Sequence, residues 1–175
     1  MDIPAATYRI QFNPAFGFQD AAQIVAYLAD LGISHLYASP IFQARPGSPH
    51  GYDIVDSNRL NAELGSVSDF EALAQRLAQC RMGWLQDIVP NHMAFANGNR
   101  MLMDVLENGQ DSTYAQFFDI AWDHPYPNMH GRLLAPFLGR PYAECLANGE
   151  IQLQYGADGF TVNYYDLALP LKVET

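Results

Sequence analysis

The chain has 175 residues, 49% of them hydrophobic, with Tyr and Phe plentiful; that is enough to bury a core and excludes a disordered chain. A formal net charge of −10 without a visible basic stripe excludes nucleic acid as a partner, whereas a neutral substrate meets no such objection. Cys80 and Cys145 are far apart without CxxC spacing, so neither structural zinc nor a disulfide framework is indicated and a reducing cytoplasm fits. The opening MDIPAATYRI lacks the basic and apolar regions of a secretion signal. No segment approaches the roughly 20 apolar residues that span a bilayer, so a cytoplasmic chain without a membrane partner is expected.

In chain order, TYRIQF (Thr7 to Phe12) reads as a first strand, closed by the turn signal Asn13-Pro14. From Gln19 to Leu31 the apolar residues Ala21, Ile24, Val25, Leu28 and Leu31 recur at helical spacing, and Gly32 stands where a left-handed cap ends a helix. SHLYAS (Ser34 to Ser39) is the second strand. Ile41 to Val67, polar and containing Gly and Pro, reads as a long functional loop. Ser68 and Glu71 match a capping box opening a helix that buries Phe70, Leu73, Ala74 and Leu77; Gly83 marks its exit, and Trp84 to Val89 form the third strand.

The order β-α-β-α-β predicts parallel strands with right-handed crossovers, a grammar shared by doubly wound sheets and (β/α)8 barrels. No G-x-G-x-x-G or Walker pattern is present, which favours the barrel. The fold class is therefore α/β, a partial (β/α)8 barrel of three strands and two helices over 1–93. Residues 94–175, rich in Asn, Gly, Pro and aromatics, read as an irregular inserted subdomain with a helical patch at Pro141 to Ala147 and a hairpin, IQLQY-GADG-FTVNYY.

In such a barrel the site is built where strands end. DIVPNH therefore places Asp87, Asn91 and His92 in that zone, and the loop after strand two adds His50, Tyr52 and Asp53. A carboxylate, an amide, an imidazole and an aromatic face suit a sugar, whose hydroxyls need directional hydrogen bonds and whose ring face stacks on an aromatic. Each also has a plain structural reading: Asp87 as the partner of a nearby Arg, His92 as a loop histidine, Asn91 as a turn residue. Their clustering favours the site. His124, His130 and Asp123 lack metal-site spacing and read as surface loop residues. The pairs Phe117-Phe118 and Tyr164-Tyr165 read as subdomain core or a sugar platform, Trp84 as packing, and Arg132 and Arg140 as solvated or ion-paired.

DIVPNH resembles the first signature region of the α-amylase superfamily of glycoside hydrolases, the D-x-x-x-N-H at the end of barrel strand three. TYRIQF, YLADLGISHLYASPIFQARPGSPHGYDIVD, DIVPNHMA and GRLLAPFLGRP, in register over nearly the whole chain, more narrowly resemble the maltooligosyltrehalose synthase family within it. The resemblance implies that Tyr52 stacks on the glucose ring preceding the cleaved bond and His92 hydrogen-bonds that sugar's hydroxymethyl group. Asp87 would brace the catalytic region and Asn91 tie the strand end to the inserted subdomain, with His50 and Asp53 in support. Pro49 stands where several exo-acting members have an Asp that clamps a terminal glucose, so that clamp is not expected. Calcium, a ligand of the matching Asn in some amylases, is not carried over, and no cofactor is expected.

The implied substrate is a maltooligosaccharide or α-glucan. Its reducing-end α-1,4 bond would be rearranged to an α,α-1,1 linkage with retention, by two carboxylates about 5 Å apart in a site that excludes water. The superfamily places that pair after strands four and five. Both would fall beyond Thr175, so the expectation is an N-terminal portion of an enzyme, inactive as an isolated chain. The rivals are an α-glucan hydrolase of the same superfamily and a non-catalytic glucan-binding remnant.

Overall fold

Three parallel strands and the two helices that cover one of their faces organise the first ninety or so residues. The structure, a computed structural model, describes residues 3–157 and 159–172. Contacts divide the chain into two compact units, Met1–Ala94 and Phe95–Thr175. In chain order the first carries β1 (Thr7–Ile10), α1 (Phe18–Asp30), β2 (His35–Ala38), β3 (Phe42–Ala44), β4 (Ile54–Leu60), α2 (Val67–Gln79) and β5 (Gly83–Gln86). The sheet order is β1-β2-β5, parallel throughout, with Leu36 opposite both Tyr8 and Trp84.

Alternation sorts these strands into two faces. Ile10, Leu36 and Ala38 join Phe12 in the core beneath α1 and α2. There Phe18, Ala21, Val25 and Leu28 of α1 and Leu73 and Leu77 of α2 recur every three or four residues and are buried. Phe12 meets Phe18 edge-on and stacks on Trp84, while Phe70 abuts both Phe18 and Trp84. The opposite face carries Thr7, Arg9, His35, Tyr37, Gly83 and Leu85, in register across the three strands.

Both helices leave by the same device. After α1, Gly32 N–H donates to Ala29 O and Ile33 N–H to Leu28 O, the paired bonds of a Schellman turn, with Gly32 at φ +88°. After α2, Arg81 N–H donates to Ala78 O and Met82 N–H to Leu77 O, and here the left-handed position is filled by Arg81 at φ +55°. The exit therefore lies at Arg81, two residues before the expected Gly83. Gly83 is needed for space: a Cβ there would stand 2.3 Å from His35 Cδ2.

Three further expectations are corrected. The capping box of α2 is Ser66 and Asp69, not Ser68 and Glu71: Asp69 N–H donates to Ser66 Oγ (3.2 Å) and Ser66 N–H to Asp69 Oδ2 (2.8 Å). A short aspartate at the third helical position closes the box as well as a glutamate does. Ile41 to Val67 is not merely loop; it contains the antiparallel pair β3–β4 and buries Ala44, Ile54, Val55 and Leu64. Its signal is faint because β4 turns exposed at Ser57 to Arg59 and the pairing slips register. The third strand ends at Gln86, so Asp87 stands just beyond it.

The second unit contains α3 (Arg100–Asn108), α4 (Tyr142–Ala147), β6 (Ile151–Gly156), β7 (Gly159–Tyr164) and β8 (Leu167–Pro170). The strands form an antiparallel sheet in the order β6-β7-β8. Helix α3, capped by Asn99 and burying Leu102 and Val105, and strand β8 went unread in the sequence. Asn97 fixes the start of β8, with its amide group donating to Asp166 O and its carbonyl accepting from Ala168 N–H. Among the described residues no helix is long and apolar enough to cross a membrane.

Candidate functional site

On the face of the sheet away from the helices, strand alternation aims Arg9 and Gln11 to the side opposite Ile10 and Phe12. The Arg9 guanidinium lies over the Tyr37 ring, 5.5 Å from its centroid, and Nη1 donates to Gln11 Oε1 at 3.0 Å. Gln11 Nε2 donates to the His50 carbonyl at 2.9 Å, tying strand β1 to the loop between β3 and β4.

That loop delivers Tyr52 to the end of β5. The Tyr52 hydroxyl donates to Asp87 Oδ2 and accepts from Arg9 Nη2 at 2.9 Å, while Arg9 Nη2 stands 3.7 Å from the same Asp87 oxygen. Arginine, phenol and carboxylate thus form one closed cluster, in which the hydroxyl bridges the two charges and the ring is held at its far end. The bond to Asp87, then burial, holds the Tyr52 phenol above its ordinary pKa. For Arg9, burial opposes the charge, but the Tyr52 bond and then Tyr37 and Asp87 outweigh it, and the guanidinium sits above its ordinary value.

Loop geometry keeps Tyr52 in place. Gly51 has φ +75°, and a Cβ there would come within 2.9 Å of the Pro40 carbonyl oxygen, so both conformation and space demand glycine. Gly51 N–H donates to Ser48 Oγ at 3.1 Å, and Ser48 in turn donates to Asp53 Oδ1. Tyr52 N–H donates to His50 Nδ1 at 3.0 Å, so that nitrogen carries a lone pair and the proton is on Nε2. The 3.9 Å approach of His50 Nδ1 to Asp53 is therefore not an ion pair.

Of the residues singled out in the sequence, Tyr52, Asp87, His50 and Asp53 come together. Asn91 and His92 are exposed and bonded to each other, Oδ1 to Nδ1 at 3.1 Å, and among the described residues no hydrogen bond links them to the cluster. Arg9 is the member of this cluster that the sequence reading missed. The signal was the alternation in TYRIQF, where a charged residue shares a face with Gln11 opposite two buried hydrophobics. Among the described residues no group of three His, Cys, Asp or Glu side chains is placed to hold a metal. The chemistry available is that of neutral recognition: a phenol ring locked at its hydroxyl, amides and imidazole, with the charges neutralised within the cluster.

These features coincide with a family match. The α-amylase catalytic-domain family matches residues 18–140, and the chain belongs to that family. Over 173 residues it is 38% identical to a putative maltooligosyl trehalose synthase of Mycobacterium tuberculosis, covering 95% of this chain and 21% of the relative. A crystal structure of a maltooligosyl trehalose synthase superposes with a TM-score of 0.88 at 37% identity, over 99% of this chain and 23% of that one. An intracellular maltogenic amylase of Bacillus subtilis is 34% identical over 117 residues, 66% of this chain and 19% of the relative. The chain thus spans about a fifth of the length of the curated relatives it matches.

Proposed function

We propose that these residues are part of an enzyme that rearranges the reducing-end α-1,4 bond of a maltooligosaccharide into an α,α-1,1 linkage, an intramolecular transglucosylation, in the cytoplasm. The observation that carries this reading is the extent of the likeness in sequence: it runs over 95% of the chain for the putative maltooligosyl trehalose synthase and over 66% for the maltogenic amylase. On this reading β1, β2 and β5 are the first arc of a (β/α)8 barrel, and their order and parallel register fit such an arc.

The locked Tyr52 ring is the face on which the glucose before the scissile bond stacks. Asp87 and Arg9 hold that ring by its hydroxyl, His50 and Asp53 set the loop that carries it, and His92, oriented by Asn91, hydrogen-bonds the sugar's hydroxymethyl group. The reaction then follows retaining logic. A carboxylate displaces the terminal glucose from C1 of the penultimate unit as an acid protonates the leaving O4. The anomeric hydroxyl of that same glucose, deprotonated by the former acid, attacks C1 and releases the carboxylate. On this reading the two carboxylates lie outside residues 1–175, so these residues by themselves form no product.

A hydrolase is the second reading, favoured by the maltogenic amylase match. Incubating the polypeptide that bears these residues in its source cells with maltopentaose separates the two. Loss of reducing ends without free glucose supports the rearrangement, and a rise in reducing ends with release of shorter sugars overturns it.

A further inference from the structure

The polar face of the second unit's sheet holds a groove that the reading above leaves unused. It encloses about 280 Å³ and is lined by Asn148, Glu150, Gln152, Gln154, Asn163 and Tyr165, near the lower end of the roughly 300–1,000 Å³ usual for small-ligand sites. Alternation puts Gln152 and Gln154 on one face of β6, and Asn163 of β7 lies directly opposite Gln152. Asn163 Nδ2 donates to Gln154 Oε1 at 3.3 Å and Gln152 Nε2 to Gly149 O at 3.0 Å. Gln154 Nε2 and Gln152 Oε1, on residues that line the groove, make no hydrogen bond among the described residues, which leaves a donor group and an acceptor for a ligand.

Its charge is balanced. Glu150 Oε1 takes Arg140 Nε at 3.4 Å and Asn148 Nδ2 at 3.3 Å, while Oε2 is buried and accepts no hydrogen bond among the described residues. At the rim Tyr165 is 67% exposed and packs edge-on against Tyr164 at 4.7 Å, and Tyr164 is itself tied by its hydroxyl to Gly139 N–H at 2.9 Å. Tyr165 sits in the two-residue turn between β7 and β8 at φ +50°, a conformation a bulky side chain rarely adopts and one that turns commonly give to Gly or Asn. A strained backbone here presents an aromatic ring beside paired amides and an ion-paired carboxylate.

We propose that this groove is a second carbohydrate site, built wholly from the second unit, which binds a short neutral segment of α-glucan. Recognition of a neutral polyol follows from the groove itself: hydroxyls that both donate and accept match the free Gln154 donor and Gln152 acceptor, and the Tyr165 ring covers a sugar face. The choice of α-glucan among polyols rests on the function proposed above.

Titration of the source-cell polypeptide with maltoheptaose, by calorimetry, tests this in the variants Tyr52→Ala, Gln154→Ala and Tyr165→Ala, with circular dichroism to confirm folding. Gln154 is exposed, so its substitution leaves the fold intact even where Tyr165→Ala does not. The expected result is a binding event retained in Tyr52→Ala and weakened roughly tenfold in Gln154→Ala. No binding beyond that lost with Tyr52→Ala, or Gln154→Ala within twofold of wild type, overturns the proposal. Absence of the trehalose-type product with a surviving Gln154-dependent event would overturn the reaction and leave the groove standing.

Discussion

The Tyr52 hydroxyl reaches across 35 positions of sequence to Asp87 Oδ2, joining the loop between β3 and β4 to the residue just past β5. Because the same hydroxyl accepts from Arg9, the phenol ring is anchored at one end by two charges that neutralise each other. On the proposed function, a ring anchored in this way has little rotamer freedom left to lose when a sugar stacks on it, which is the physical content of preorganisation.

Removing only the hydroxyl separates anchoring from stacking. Tyr52→Phe costs about 1 kcal/mol of stability, the ordinary worth of a part-buried hydrogen bond, while retaining most sugar affinity. Tyr52→Ala weakens maltooligosaccharide binding at this site by roughly tenfold or more. Chemical denaturation and titration calorimetry of the two variants check the split.

The phenol also sets an alkaline limit. Its bond to Asp87, then burial, raises the folded-state pKa above the unfolded one. The stabilisation is therefore complete below the unfolded value of about 10 and is lost as pH rises through the higher folded value. Tyrosinate absorbance followed against pH shows two late-titrating phenols in the wild type, Tyr52 and Tyr165, and Tyr52→Phe removes one of them.

Arg81 occupies a left-handed cap at φ +55° where Gly32 serves the equivalent turn. Relief of that strain in Arg81→Gly, less the entropy glycine adds to the unfolded chain, stabilises the protein by about 0.5–1 kcal/mol. A rise in the denaturation midpoint at unchanged slope is the expected result.

Gly83→Ala drives a methyl into the His35 imidazole and destabilises by about 1–3 kcal/mol. His35→Ala in the same chain removes the obstacle and recovers most of that loss. Stabilities of both single variants and the double variant measure the coupling.

How far the sequence carried depended on the kind of signal. Helix α1 was legible because Ala21, Val25 and Leu28 repeat on one face and Gly32 ends it; the observed span differs by a residue at each end. Strand β4 was illegible because half of it faces solvent, and α3 because its two buried residues, Leu102 and Val105, make too short a stripe to stand out. Tyr52 and Asp87 were found through DIVPNH and the G-Y of the loop. Arg9 was not, since it reaches the cluster from within β1 and not from a strand end, where the sequence signal for a site is concentrated.

The most direct test of the proposed rearrangement is the fate of solvent oxygen when the source-cell polypeptide acts on maltopentaose in heavy-oxygen water. Intramolecular transfer predicts a product of unchanged mass, no heavy oxygen at its new linkage, and anomeric resonances of an α,α-1,1 bond. Heavy oxygen at a freed anomeric carbon, with shorter sugars accumulating, would contradict it.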